Sequence, residues 1–110
     1  MNELTERLAG GSHTVVVGGA QPSPGELRQR MEETEYVLIK FTETRGGTEL
    51  GVAVDRDASD LSAADFNQGT GTVHVEGTLV LNDDPVRCFA DIDLATLSGT
   101  GHLVIAERSG

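Results

Sequence analysis

Residues 72–107 read TVHVEGTLVLNDDPVRCFADIDLATLSGTGHLVIAE and alternate between two side-chain sets. One set holds Val73, Val75, Leu79, Leu81, Cys88, Ala90, Ile92, Leu94, Leu103 and Ile105. The other holds His74, Glu76, Arg87, Asp91, Asp93 and His102, together with Val80, Phe89, Val104 and Ala106. Period-two alternation is the signature of strands with one buried face, so the first set is a core face. Asn82-Asp83-Asp84-Pro85 and the stretch Thr96–Gly101 punctuate the run into three strands.

Register follows from matching apolar residues across the turns. A four-residue loop at 82–85 sets Leu81 opposite Val86, Leu79 opposite Cys88, Val75 opposite Ile92 and Val73 opposite Leu94. The second turn, with Leu94 opposite Gly101, brings Ile92 to Leu103 and Ala90 to Ile105. This pairing lays His74, Asp93 and His102 side by side, with Glu76 and Asp91 as the adjacent row. Opposed Cβ atoms on paired strands lie about 4.5–5.5 Å apart, close enough for imidazole and carboxylate to share a proton or an ion. Two histidines and a carboxylate are also a reasonable metal set. The plain alternative is a solvated polar face carrying a His–Asp ion pair and no ligand. The same register sets Arg87 opposite Arg108, which is unfavourable, and a slip of two residues would keep the faces while dispersing the trio.

Val80, Phe89, Val104 and Ala106 make the second face half apolar, which a freely solvated sheet face does not normally show. Its cover is expected to be a helix, the N-terminal arm, a second subunit, or the far wall of a closed barrel. In the last case the face becomes a ligand cavity. With one Tyr, three Phe and no Trp to line a pocket, a helix or protein partner is favoured over a cavity. His74, Glu76, Phe89, Asp91, Asp93, His102 and Val104 are therefore the candidate binding residues. None is assigned a catalytic role, and no metal or cofactor is expected.

Upstream, His13–Val17 is a short strand stopped by Gly18–Gly19. Leu4 and Leu8 mark a brief helix or arm before it, too short to hold without docking. In SPGE, Ser23 is an N-cap, Pro24 the first helical position and Glu26 the third residue after the cap. The helix from Pro24 to about Thr34 presents only Leu27 and Met31, so it leans on a sheet. Residues 35–44 form a strand and Gly46–Gly47 a two-residue turn, pairing Phe41 with Val52 and Ile39 with Val54. Ser62 and Asp65 cap a helical turn that tucks in Leu61 and Phe66. The expected fold is α+β: an antiparallel, meander-like sheet of five or six strands packed by one main helix, with partial closure into a small barrel as a variant.

Composition narrows the function. A chain of 110 residues holds one domain and one core. Eighteen carboxylates against eight Lys and Arg give a net charge of −10, with no basic cluster for phosphate backbones or anionic lipid. No apolar run approaches the ~20 residues of a bilayer span. The first residues carry acids and no basic n-region, so a signal peptide is not expected. A single cysteine, Cys88, permits no internal disulfide and reads as a small core hydrophobe in a cytoplasmic protein. Abundant Arg and Gly with one Lys point to a high-GC bacterial genome.

Motifs for chemistry fail at mechanically important positions. Asp55, Asp57 and Ser59 imitate the first ligands of a calcium loop, but Asp60 stands where glycine makes the turn and Phe66 where a bidentate Glu belongs. VVVGGAQPSPGE lacks the glycine spacing of a nucleotide loop, and its prolines remove amides that would cradle an anion. The leading expectation is thus a non-enzymatic interaction module that binds a protein partner through the mixed second face or a sheet edge, with a homodimer as the simplest case. The competitor is a small-molecule or acid–base site built on His74, Asp93 and His102. A third reading uses the acidic 55–65 loop to hold a basic protein, an association that salt would weaken.

Overall fold

The computed structural model describes residues 7–19, 21–44, 46–81 and 84–105. Its elements are β1 (His13–Val17), α1 (Pro24–Gln29) running on as a π-helical turn (Arg30–Thr34), β2 (Tyr36–Phe41) and β3 (Thr48–Val54). These are followed by β4 (Ala64–Asp65), β5 (Thr70–Leu81), β6 (Asp84–Asp93) and β7 (Ser98–Ile105). All pairings are antiparallel, in the order β3-β2-β1-β7-β6-β5-β4, and β3 also pairs with β5. Six strands therefore close into an up-and-down barrel, and β4 is a two-residue appendage on β5. The meander and the barrel variant both hold. The main helix is reduced to two short segments in a sheet-dominated fold.

Closure follows from the alternating pattern. Val15 and Val17, Val37, Ile39 and Phe41, Leu50, Val52 and Val54, Val73 and Val75, Cys88, Ala90 and Ile92, and Leu103 are all buried in one cluster. They fill the tube from every wall, as the interior of a small barrel requires. At one end Leu27 and Met31, from α1 and its π turn, join this cluster; at the other, Leu8 from the helical residues 7–9 does so. The helix is an end plug and not the cover of a sheet face. Ser23 Oγ accepts a hydrogen bond from the Glu26 amide at 3.1 Å, so the expected cap is formed. The Glu26 carboxylate accepts from Arg30 Nε at 3.1 Å.

Ala106 lies outside the described residues; the other face assignments along β5, β6 and β7 agree with the sequence reading, but all three hairpin registers are shifted. Phe41 faces Thr48 instead of Val52, a slide of four residues, because the turn spans 42–47. The buried Thr44 stabilises that longer turn, its hydroxyl lying 2.6 Å from that of Thr48. Leu79 faces Val86 instead of Cys88, a slide of two. Ile92 faces Gly99 instead of Leu103, a slide of four, because residues 94–97 form a tight turn with Leu97 at φ 55. The expected helical turn after Ser62 is instead the β4 strand, although Leu61 and Phe66 do pack against the core. Asp60 and Asp65 each accept backbone amides two residues ahead, a local turn chemistry that competes with helix. The Leu4 and Arg108 expectations lie outside the described residues.

The seam between β3 and β5 is the shortest pairing of the barrel wall, two residue pairs: Ala53 with Thr78 and Val54 with Gly77. Gly77 makes it possible, since a Cβ there would sit 2.3 Å from the Ala53 carbonyl oxygen. Phe41→Ala is expected to cost about 3–5 kcal/mol of stability, the usual loss for a buried Phe. Gly77→Ala is expected to destabilise, although an unstrained Gly→Ala change stabilises by roughly 0.4–1 kcal/mol. Urea unfolding of both variants checks the two claims.

Candidate functional site

The second face is the outer wall of the barrel. Its side chains point away from the filled lumen, which corrects the idea that barrel closure would turn this face into a pocket. Across β5, β6 and β7 the outward rows are Thr72–Asp93–Ser98, His74–Asp91–Thr100, Glu76–Phe89–His102 and Thr78–Arg87–Val104. The expected trio is thereby dispersed. His74 meets Asp91 and not Asp93, while His102 lies opposite Phe89. Asp93 instead accepts the Ala95 amide at 2.9 Å and shapes the turn that follows.

What the wall does assemble is a chain of five charged groups. His74 Nδ1 lies 2.8 Å from Asp91 Oδ1, and Nε2 lies 3.0 Å from Glu76 Oε1. Arg87 donates from Nε and Nη2 to Glu76 Oε2 at 3.2 and 2.8 Å, and from Nη2 to Asp55 Oδ2 at 2.9 Å. Signs therefore alternate along Asp91, His74, Glu76, Arg87 and Asp55. An ionised carboxylate can only accept, so both ring nitrogens of His74 are satisfied together only in the imidazolium form. The direct Glu76–Asp91 opposition inferred from sequence does not occur: the two carboxylates reach the same imidazole from different sides.

Backbone pairing holds this chain in place. His74 and Asp60 exchange both amide–carbonyl bonds at 2.9 Å, and the Asp55 amide donates to the Glu76 carbonyl at 2.8 Å. Ser59 Oγ accepts the Glu76 amide at 3.0 Å. The segment 55–60 is thus stitched along β5. Asp55, far from waiting for calcium, turns Oδ1 to the amides of Asp57 and Ala58 and Oδ2 to Arg87. Among the described residues no three His, Cys, Asp or Glu side chains form a metal-binding group. Arg87 and Asp55 are the participants that sequence reasoning missed. Their signal was adjacency: Asp55 follows β3 directly, and only the β3–β5 seam brings it to Arg87.

Beside the charged chain lies an aromatic pair. The Phe89 and His102 rings stack at 5.0 Å with 8° between planes, and the Arg87 guanidinium lies 5.9 Å from the Phe89 centroid. Val104 is 44 % exposed and Val80 69 %, and no element of the described chain covers them. Cavities lie elsewhere. A pocket of about 140 Å³ beneath the π turn is lined by Met31, Val54, Arg56 and Leu61. An open groove beside Phe66, where Arg28 lies 5.6 Å from the ring centroid, runs along α1. The pocket falls below the roughly 300 Å³ at which small-molecule sites begin. Neither contains His74. Cys88 is buried in the barrel interior, where burial pushes its thiol up to about 12, so it is inert as a nucleophile.

No helix among the described residues is long and apolar enough to cross a membrane. The sequence matches no protein-family model and no curated protein.

The charged chain makes stability pH-dependent with a definite sign. Hydrogen bonding to Glu76, then to Asp91, raises the His74 pKa above its ordinary 6.5 against the opposing effect of burial. That contribution is complete below 6.5 and fades as pH rises through the folded value. His74 and then Arg87 lower Glu76 from 4.5, and Arg87 lowers Asp55 from 3.8. Their contributions are complete above those values and are lost as pH falls through the folded ones. Stability from this chain should therefore be greatest between 4.5 and 6.5. Replacing His74 with Gln should flatten the decline on the alkaline side, measured as thermal midpoint against pH; an unchanged profile would contradict the arrangement.

Proposed function

We propose that this chain is a non-catalytic interaction module that binds a second copy of itself through the outer wall of β5, β6 and β7. The observation that carries this reading is the exposure of Val80 and Val104, beside the half-buried Phe89, on a barrel whose interior is already full. A solvated wall gains nothing from such residues, whereas an interface core is enriched in them and set within a polar rim. Here the rim is the alternating chain from Asp91 to Asp55, charged yet largely neutralised internally. Pairing of two copies about a two-fold axis is the simplest closed arrangement. The net charge of −10 weighs against nucleic acid or anionic lipid as the partner. One reduced, buried cysteine is in keeping with a cytoplasmic setting.

A second reading, an acid–base or small-molecule site, rests on the His74 imidazole held between two carboxylates and 32 % exposed. Against it stands the engagement of both ring nitrogens. A histidine already bonded twice has no free atom for a substrate proton. His74→Ala with unchanged fold and loss of ligand binding would favour this alternative.

For the leading reading, Val104→Asp is expected to weaken self-association by roughly tenfold or more, measured by sedimentation equilibrium. Because the site is exposed, the change should alter unfolding free energy by no more than about 0.5 kcal/mol. A wild-type chain that remains monomeric at the highest soluble concentration would overturn the proposal.

A further inference from the structure

An apolar floor meets a loosely held cation in the pocket beneath the π turn. Met31, Val54 and Leu61 make the floor, and Glu32, Arg56 and Ser59 the polar side. Hydrogen bonds fix these walls. The Glu35 amide donates to the Arg30 carbonyl, the bond that makes the π turn, and Thr34 Oγ1 donates to the same oxygen at 2.9 Å. The Val54 amide donates to the Glu35 carbonyl at 2.8 Å, tying the end of the turn to the floor. Ser59 is held from the other side through two bonds to the Glu76 backbone. π turns are rare and recur at functional sites; this one carries Met31 and Glu32 into the pocket. The pocket adjoins the groove beside Phe66, since Glu32 and Leu61 line both.

We propose that this pocket binds a small aromatic carboxylate, its ring against Met31, Val54 and Leu61 and its carboxylate on Arg56. Size sets the body of the ligand. At about 140 Å³ the pocket is too small for most ligands but matches a single ring, since apolar cavities of roughly 150 Å³ accept benzene. A long acyl chain has nowhere to go, because the barrel interior is already filled. An inorganic anion would leave the apolar floor unused. Ring substituents would extend into the adjoining groove of about 410 Å³, toward Phe66 and the Arg28 guanidinium that lies 5.6 Å from its centroid. The site does not depend on self-association through the outer wall.

Spare donors set the head group. A guanidinium offers a fork of N–H groups that matches a carboxylate. Arg87 spends its fork on Glu76 and Asp55 in three hydrogen bonds. Arg56 does not: its Nη1 only approaches Glu35 Oε1, at 3.5 Å, and both side chains are exposed. Exposed pairs of that kind contribute little, so a carboxylate that binds both arms of the fork can displace Glu35. The carboxylate lining the pocket, Glu32, accepts Arg28 Nε at 3.3 Å and is partly neutralised by it. Its residual repulsion favours a singly charged ligand over a phosphate, the more so on a chain of net charge −10.

Benzoate titrated into the full chain at constant ionic strength, followed by NMR, tests the proposal. Saturable shifts are expected at Met31, Val54 and Leu61, with a Kd near millimolar, ordinary for a ligand of about nine non-hydrogen atoms. Acetate, which lacks the ring, and benzyl alcohol, which lacks the charge, should each bind at least about tenfold more weakly. Arg56→Gln should weaken benzoate at least about tenfold and leave benzyl alcohol unchanged. Glu32→Gln, which removes the like charge, should tighten benzoate severalfold. Both positions are exposed, so circular dichroism of the two variants should match wild type. Benzoate shifts that do not saturate, that centre on other residues, or that either substitution leaves unchanged overturn the proposal. Benzyl alcohol binding as tightly as benzoate overturns it too.

Discussion

Closing six strands into a tube leaves a lumen that side chains alone can fill, and everything else in this molecule follows from that. Barrel diameter grows with strand number, and at six there is no room for a ligand once Phe41, Ile39, Ile92 and Leu103 have entered. Hydrophobic burial, the dominant stabilising contribution, is therefore concentrated inside the wall and at its two plugged ends. Chemistry, if it is to meet another molecule, has to be on the outside. The outer wall carries both the charged chain around His74 and the uncovered valines, and the two occupy neighbouring rows of the same three strands.

The sequence disclosed which way each side chain points far better than which side chain it meets. Alternation has a period of two, so moving one strand past another by an even number of residues keeps every face intact. Each misjudged hairpin moved by such a number: Phe41 to Thr48, Leu79 to Val86, Ile92 to Gly99. Apolar matching pointed to the wrong registers, since the observed ones set Phe41 against Thr48, Leu81 against Asp84 and Ile92 against Gly99. Turn conformation decided, through Thr44 in one loop and the left-handed Leu97 in another. The candidate site suffered accordingly. His74 and Asp91 were both identified, and on the correct face, but Asp93 and His102 were placed beside His74 by a slip the pattern cannot sense. The π turn at Arg30–Thr34 and the substitution of β4 for a helical turn had no period to betray them.

The charged chain and the end of β5 beyond Thr78 divide the wall into two kinds of surface. From Thr72 to Thr78, β5 is bonded along both edges, and its His74 and Glu76 side chains are paired. Beyond Thr78, among the described residues, β5 pairs with β6 alone. Arg87 stands at the boundary. It belongs to the ion chain through Glu76 and Asp55, to the aromatic pair through Phe89, and to the exposed valines through its strand neighbour Val104.

The pairing of β1 with β7 carries a consequence for biosynthesis. His13 to Val16 must await Ser98 to Gly101, which emerge from the ribosome after every other strand has been made. Until then the nascent barrel is an unsealed sheet with its first strand bare along one side, exposed to errant pairing with neighbouring chains. Such distant contacts also slow the search for the native state. The shorter the interval before β7 arrives, the less that strand is exposed.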